Sequence, residues 1–526
     1  MPPRPILPET SLSMTPPVFT RQSTPMLQPM SPLMSEPVSQ SMSPPMSRPL
    51  LRAAGLAVVL AVMLAVSGCS ILRRADTGLP APFAHALQKA AVPASAVALT
   101  VRPVAGHADG SAHPVSHNAQ LPFQPASIMK LLTSEAALAL LGPDFHWITR
   151  VHAVGNMDGD VLRGDLVIEG GGDPRFAHED LGRLLRALRQ LGLREIRGDL
   201  ILDRSLYQPL AQDAAAFDGQ PSRAYNALPD ALLLDAHALN LQFRPAADRV
   251  QVTSEPPLEA FTITSPLLSG EPCTRLREQL QPVLSAQGLR FAGSYPAACG
   301  ERDLAFHLHT LDPVAYFDAV FRRMWRELGG SLAGQVRDGR VPAGSRELLA
   351  WPSRPLAQVL VDINKQSNNV MARNLMLSLV AERGGKPASA VAASELLLAW
   401  MAASGIPSQG TVIENGSGLS RAERMSAATL AALLDYAWQQ PTMPELLASL
   451  PVAGIDGTMV KRHGDSPVRG RAHIKTGSLA GVASIAGYVT AKSGQRVIVV
   501  SMINHANANE ARAAFETLLD WVYATY

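Results

Sequence analysis

The segment SIMKLLTSEAALALLGP, residues 127–143, carries a hydroxyl and an amine three positions apart at the head of an apolar run. Ile128, Leu131, Leu138 and Leu141 recur at helical spacing and Gly142-Pro143 stops the pattern, so a helix is predicted to begin at the serine. Residues three apart share a helix face, which puts Lys130 Nζ within reach of Ser127 Oγ, and the helix N-terminus favours negative charge developing there. A serine hydroxyl is a poor nucleophile at neutral pH. A lysine can take its proton only if burial or a second cation lowers the lysine pKa. Of the seven lysines, against thirty-nine arginines, only Lys130 has a serine three residues earlier. In so arginine-biased a chain, each retained lysine is a candidate for a position that must lose or relay a proton.

Two further motifs follow. Ser367-Asn368-Asn369 offers a hydroxyl to relay a proton and a carboxamide to orient a substrate amide, in a loop expected to lead into a helix. Lys475-Thr476-Gly477-Ser478, in HIKTGSLAGVASIAGYV, reads as a strand. Period two puts the Thr476 and Ser478 hydroxyls on one face, Gly477 permits close backbone approach, and Lys475 is a fixed charge for a substrate carboxylate. Lys475 is also the candidate second cation for Lys130. Two look-alikes are set aside: Ser116-His117-Asn118 in a polar turn, and Lys492-Ser493-Gly494 between the strand-like runs AGYVT and RVIVVSMI.

Ser-x-x-Lys, Ser-x-Asn and Lys-Thr-Gly in this order resemble the signature set of penicillin-binding proteins and class A β-lactamases. About 240 residues separate Ser127 from Ser367, more than a β-lactamase uses. The layout resembles the D-alanyl-D-alanine carboxypeptidase/endopeptidase branch of the low-molecular-mass penicillin-binding proteins, whose transpeptidase domain is interrupted by an extra domain with a nested one. GDLVIEGGGDP (164–174), IRGDLILDRSLY (196–207), YNALPDALLLDAHALNL (225–241), ENGSGLSR (414–421) and PVAGIDGTM (451–459) carry the resemblance further. Asn368 stands where this branch often has aspartate. The resemblance implies an acylated Ser127, Lys130 as its base, Ser367 as proton relay and Asn369 as substrate ligand. It further implies Lys475, Thr476 and Ser478 as the carboxylate site, and the backbone N–H groups of Ser127 and Ser478 as oxyanion hole. Peptidoglycan stem peptides are the implied substrates and β-lactams the implied covalent inhibitors, with no cofactor.

The ends and the composition bound the rest. Residues 1–50 hold thirteen prolines and seven methionines, and are expected to stay disordered. Arg48 and Arg52, the apolar run 53–66 and Val66-Ser67-Gly68-Cys69 resemble a lipoprotein signal, implying cleavage before Cys69, a lipid on its thiol, and a periplasmic protein anchored at the outer membrane. A plain membrane anchor is the alternative, although the run is shorter than the ~20 residues of a span. Outside the cytoplasm, Cys273 and Cys299 pair most simply as one disulfide; two free buried thiols are the other reading. A net charge of +2 with 17% charged residues leaves no basic excess for nucleic acid.

The expected fold is α/β (α+β): a β-lactamase/transpeptidase-like sandwich with an antiparallel sheet, interrupted by a large strand-rich insert. After an N-terminal extension and leader over 1–68, the catalytic domain is split between 80–155 and 345–526. The insert covers 156–344, with a nested subdomain at about 235–305. Gly170-Gly171-Gly172-Asp173 is read as a turn, His307 and His309 as strand residues without a third metal ligand, and Asp456 and Ser417 as structural. Two other functions compete: a β-lactamase, against which no Glu-x-x-Leu-Asn element is found, and a non-catalytic peptidoglycan-binding lipoprotein, which would not need a nucleophile with its base.

Overall fold

The computed structural model describes residues 78–105, 113–209 and 213–526. The extension and leader expected over 1–68, and Cys69, lie outside them. The fold is mixed α/β, with a wholly antiparallel sheet and a second, seven-stranded sheet that mixes antiparallel and parallel pairs. Its five-stranded sheet has the order Val115–His117, Val97–Pro103, Arg496–Asn504, Val482–Thr490, Ala472–Leu479, every neighbour antiparallel. The central strand RVIVVSMIN is apolar nearly throughout because both its faces are covered. Val497, Val499 and Ile503 face the helices Ala81–Lys89 and Arg512–Thr525 through Phe83, Phe515 and Leu518. Ile498, Val500 and Met502 face the other way, into a core shared with the helices Lys130–Leu141 and Ala427–Trp438. Each such side chain contributes about 1.5–3 kcal/mol by leaving water.

A second core lies within 148–352. The hairpin Ile148–Asp158/Val161–Glu169 starts its sheet, and Arg346–Pro352 returns beside the first strand with Pro352 opposite Ile148. Trp147 and Ser353 close this junction: Trp147 N donates to Ser353 Oγ at 3.0 Å, and Ser353 N to Trp147 O at 2.9 Å. The helices His178–Gln190 and Pro313–Glu327 bury Leu181, Leu184, Leu185, Phe317, Val320 and Phe321 in that core. Smaller sheets fill the stretch between them, among them Arg302–His307, Ala238–Pro245 and Val250–Glu255 in that order. Cys273 and Cys299 are joined as a disulfide there, so the free-thiol reading is set aside.

One local reading changes. The glycine run at 170–172 serves close packing: a Cβ on Gly170 would lie 2.4 Å from Ala231 O, and one on Gly171 would lie 2.2 Å from Ile148 O. Backbone contact, which sequence spacing does not encode, is the reason. Asp235, Ala236 and His237 take φ of 48°, 54° and 52°, three successive left-handed residues that each cost about 1–2 kcal/mol. That stretch turns the chain into the strand Ala238–Pro245.

Candidate active site

The α-helix starts at Lys130, and Ser127 sits one turn earlier, in a 3₁₀ turn over Ala126–Met129. Pro125 precedes it, Ala126 has φ 49°, and Ser484 Oγ donates to Pro125 O at 2.6 Å, so the serine is fixed by the sheet as well as by its helix. Ser127 is half-buried and Lys130 fully buried. Lys130 Nζ donates to Ser127 Oγ at 3.1 Å, to Asn369 Oδ1 at 2.6 Å and to Ser417 O at 2.5 Å. Three acceptors use the three ammonium donors and fix the nitrogen beside the hydroxyl.

The second motif leads into the helix Asn369–Ala381, as expected. The cap is Asn368, whose side chain accepts from Met371 N at 3.1 Å; Ser367, at φ 56°, is thereby turned away from capping. Asparagine at 368 thus supplies the cap oxygen that an aspartate would. Asn369 Nδ2 reaches Tyr225 O at 3.4 Å. The third motif lies on the edge strand Ala472–Leu479, where Lys475 Nζ donates to Ser367 Oγ at 2.8 Å. Gly477 backs directly onto the turn that carries Ser127, since a Cβ there would stand 2.9 Å from both Ser127 N and Pro125 O. Thr476 and Ser478 lie on the more open face of the strand, Thr476 Oγ1 bonded to Thr458 Oγ1 at 2.7 Å and Ser478 Oγ to Asn509 Oδ1 at 3.2 Å. All three motifs therefore meet through Lys130, Asn369, Ser367 and Lys475.

The electrostatics fit a lysine base. Burial holds the Lys130 pKa well below the ordinary amine value, the Lys475 charge lowers it further, and Glu423 pulls the other way. Burial alone brings Lys475 down to about 7. Lowering the pKa of the Lys130 amine enlarges the neutral fraction able to accept the serine proton.

A profile of the D-Ala-D-Ala carboxypeptidase 3 (S13) family matches residues 79–524. The chain belongs to that family. As an S13 member it is similar to the D-alanyl-D-alanine carboxypeptidase of an Actinomadura species, 30% identical over 429 residues covering 76% of this chain and 77% of the relative. It is also similar to the D-alanyl-D-alanine carboxypeptidase DacB of Haemophilus influenzae, 27% identical over 395 residues, 72% of this chain and 80% of that one. The fold matches the crystal structure of penicillin binding protein 4 (dacB) from Haemophilus influenzae with a TM-score of 0.69 at 24% identity, covering 84% of this chain and 99% of that chain.

Several contributors to this S13 site were missed or under-read in the sequence. Ser417, read as structural, presents its backbone carbonyl to Lys130. Glu423 is fully buried, and its Oε1 accepts from the N–H groups of Glu414, Asn415 and Gly416 at 3.2, 3.0 and 2.9 Å, shaping the loop that carries Ser417. Arg512 bonds both Ser478 Oγ and Asn509 Oδ1, placing a guanidinium beside the expected carboxylate site. Only the glycines of ENGSGLSR hinted at such a loop, and nothing marked Glu423 or Arg512. The look-alikes fall elsewhere. His117 Nε2 bonds Ala94 O at 2.8 Å at the sheet edge, and Lys492-Ser493-Gly494 turns between two paired strands. Asp456 pairs with Lys365 at 2.6 Å. Among the described residues, the ligand atoms of His307 and His309 do not join any group of three able to hold a metal.

Proposed function

We propose that the chain is a serine-type D-alanyl-D-alanine carboxypeptidase/endopeptidase acting on peptidoglycan stem peptides and acylated by penicillins. The observation that carries the reading is the linked arrangement of Lys130 with Ser127 and Asn369, and of Lys475 with Ser367. Neutral Lys130 takes the Ser127 proton as Oγ attacks the carbonyl carbon of the penultimate residue. The tetrahedral oxyanion is held by the N–H groups of Ser127 and Ser478, a term worth several kcal/mol in acyl transfer. Collapse breaks the amide C–N bond, and the leaving amine of D-alanine receives a proton through Ser367 Oγ. Water then repeats the sequence on the acyl-enzyme. Asn369 orients the substrate amide, and Lys475, Thr476 and Ser478 take the terminal carboxylate.

The motifs at 53–69 support export and a lipid on Cys69, with the enzyme held at the outer membrane facing the periplasm. We read the catalytic unit as split, 80–155 and 345–526 around an insert over 156–344 with its nested part at 235–305; the pairing of Ile148–Asp158 with Arg346–Pro352 favours moving the junctions to Trp147 and Ser353. The test is incubation of the purified protein with stem pentapeptide and, separately, with penicillin. D-alanine release and a penicilloyl adduct mapped to Ser127, both lost in Ser127→Ala, are expected. Rapid penicillin turnover without D-alanine release would make it a β-lactamase, and neither activity a binding protein.

A further inference from the structure

Away from the peptidase site, three carboxylates converge on one imidazole. His178 and Glu179 are the first two residues of the helix His178–Gln190, Asp235 lies in the left-handed stretch before the strand Ala238–Pro245, and Glu255 ends the strand Val250–Glu255. His178 Nδ1 stands 2.9 Å from Asp235 Oδ1 and 3.7 Å from Glu179 Oε2, while Nε2 stands 3.1 Å from Glu255 Oε1. Ligand atoms of His178, Glu179 and Asp235 all lie within 4.8 Å of one another. The His178 and Asp235 side chains are 13% and 10% exposed. Asp235 Oδ1 also accepts the His178 backbone N–H at 3.2 Å, whereas Oδ2 is buried with no hydrogen-bond partner. Among the described residues no lysine or arginine pairs with any of the three carboxylates.

An ion pair with His178 accounts for Asp235 Oδ1 but not for the orphaned Oδ2, which ordinarily costs free energy when buried. Negative charge also remains in excess whatever the protonation of one imidazole. We propose that His178 Nδ1, Glu179 and Asp235 bind a divalent cation of the zinc class, with Glu255 holding the imidazole through its Nε2–H. One imidazole nitrogen with carboxylate oxygens suits zinc rather than magnesium or calcium, which prefer oxygen throughout. With metal–ligand bonds of about 2.0–2.2 Å, donors 2.9 and 3.7 Å apart subtend roughly 90° and 120°, either side of the tetrahedral angle, with Asp235 Oδ1 as the nearer ligand and chelation by the same carboxylate giving Oδ2 its partner. The Nδ1 proton leaves to solvent, Nδ1 and the carboxylates become ligands, and water fills the remaining position on the exposed Glu179 side. Glu255 then has the place of the outer carboxylate that fixes a ligating histidine. The positive end of the helix dipole, about half an elementary charge, opposes a cation here, and three carboxylates outweigh it. The cation would clamp the helix start to the turn 234–237 and to the neighbouring strand.

The experiment is titration of the untagged full chain, stripped with EDTA, with ZnSO₄ and with MgSO₄, by calorimetry and thermal melting. One zinc per chain, a raised melting temperature with zinc and no response to magnesium are expected. Glu179→Gln, at a side chain 57% exposed, should weaken zinc binding at least tenfold while melting like the parent in EDTA. Glu255→Gln should weaken it roughly tenfold or more. Absence of saturable zinc binding, or equal affinity in parent and Glu179→Gln, would overturn the site. Penicillin labelling of Ser127 in the same samples reports separately on the peptidase reading.

Discussion

Lys475 Nζ donates to Ser367 Oγ at 2.8 Å, joining positions 108 residues apart. The same buried ammonium lowers the pKa of Lys130, and the proposed mechanism needs Lys130 neutral while Lys475 stays charged. The rate constant kcat/KM is expected to be bell-shaped in pH. It rises as Lys130 loses its proton and falls as Lys475 loses its own above about 7. Lys475→Arg keeps the positive charge at every accessible pH and should remove the descending limb. A descending limb that survives in that variant would reassign it to another group.

Lys130→Met keeps the volume and removes the base. Acylation by a chromogenic β-lactam should slow by about 10²–10⁴-fold, the usual worth of a positioned proton acceptor. The melting temperature should fall as well, because Asn369 Oδ1 and the Ser417 carbonyl lose their buried donor, so the acylation rate is read at a temperature where both proteins are folded. A stopped-flow acylation rate within tenfold of the parent would show that Lys130 is not the base.

Glu423 is argued to position the Ser417 loop and to raise the Lys130 pKa. Glu423→Gln removes the charge, so the ascending limb of the pH profile should move to lower pH, the direction opposite to that for loss of a cation. Unfolding free energy should drop by about 1–3 kcal/mol, as buried hydrogen bonds to the backbone are weakened. Destabilisation with an unmoved ascending limb would leave Glu423 a purely structural residue.

The Cys273–Cys299 bond closes a loop of sequence separation 26, which by chain entropy stabilises the folded state by about 3.5 kcal/mol. The double variant Cys273→Ala/Cys299→Ala should melt earlier, to the same point as the parent under reducing agent, and still be labelled by penicillin at Ser127 at 25 °C. Loss of labelling in the folded double variant would mean that the nested strands support the catalytic serine.

The three motifs were legible because each couples a chemical group to local geometry: a hydroxyl and an amine on one helical turn, a hydroxyl and an amide before a helix, and an amine and two hydroxyls along a strand. The sheet's central strand was legible from its nearly continuous apolar run. Glu423, Arg512 and the carbonyl of Ser417 were not, since each acts through contacts closed only by the fold, and a backbone carbonyl has no residue type to read. The start of the α-helix was misplaced by one turn because the left-handed Ala126 and the sheet behind Pro125 tighten the first turn to 3₁₀. His178 and Asp235 escaped for a similar reason, lying 57 positions apart with no motif spacing.

The mutual backbone and hydroxyl bonds of Trp147 and Ser353 bring the two stems of a segment some two hundred residues long to a single doorway. Material beyond that doorway still braces the flanking helices: Tyr207 Oη donates to Asn374 O at 3.2 Å, and Arg175 pairs with Asp362 at 2.9 Å. A direct splice of the flanks there, bridged by a short turn, is thus the natural way to ask whether the flanking chain folds without that bracing.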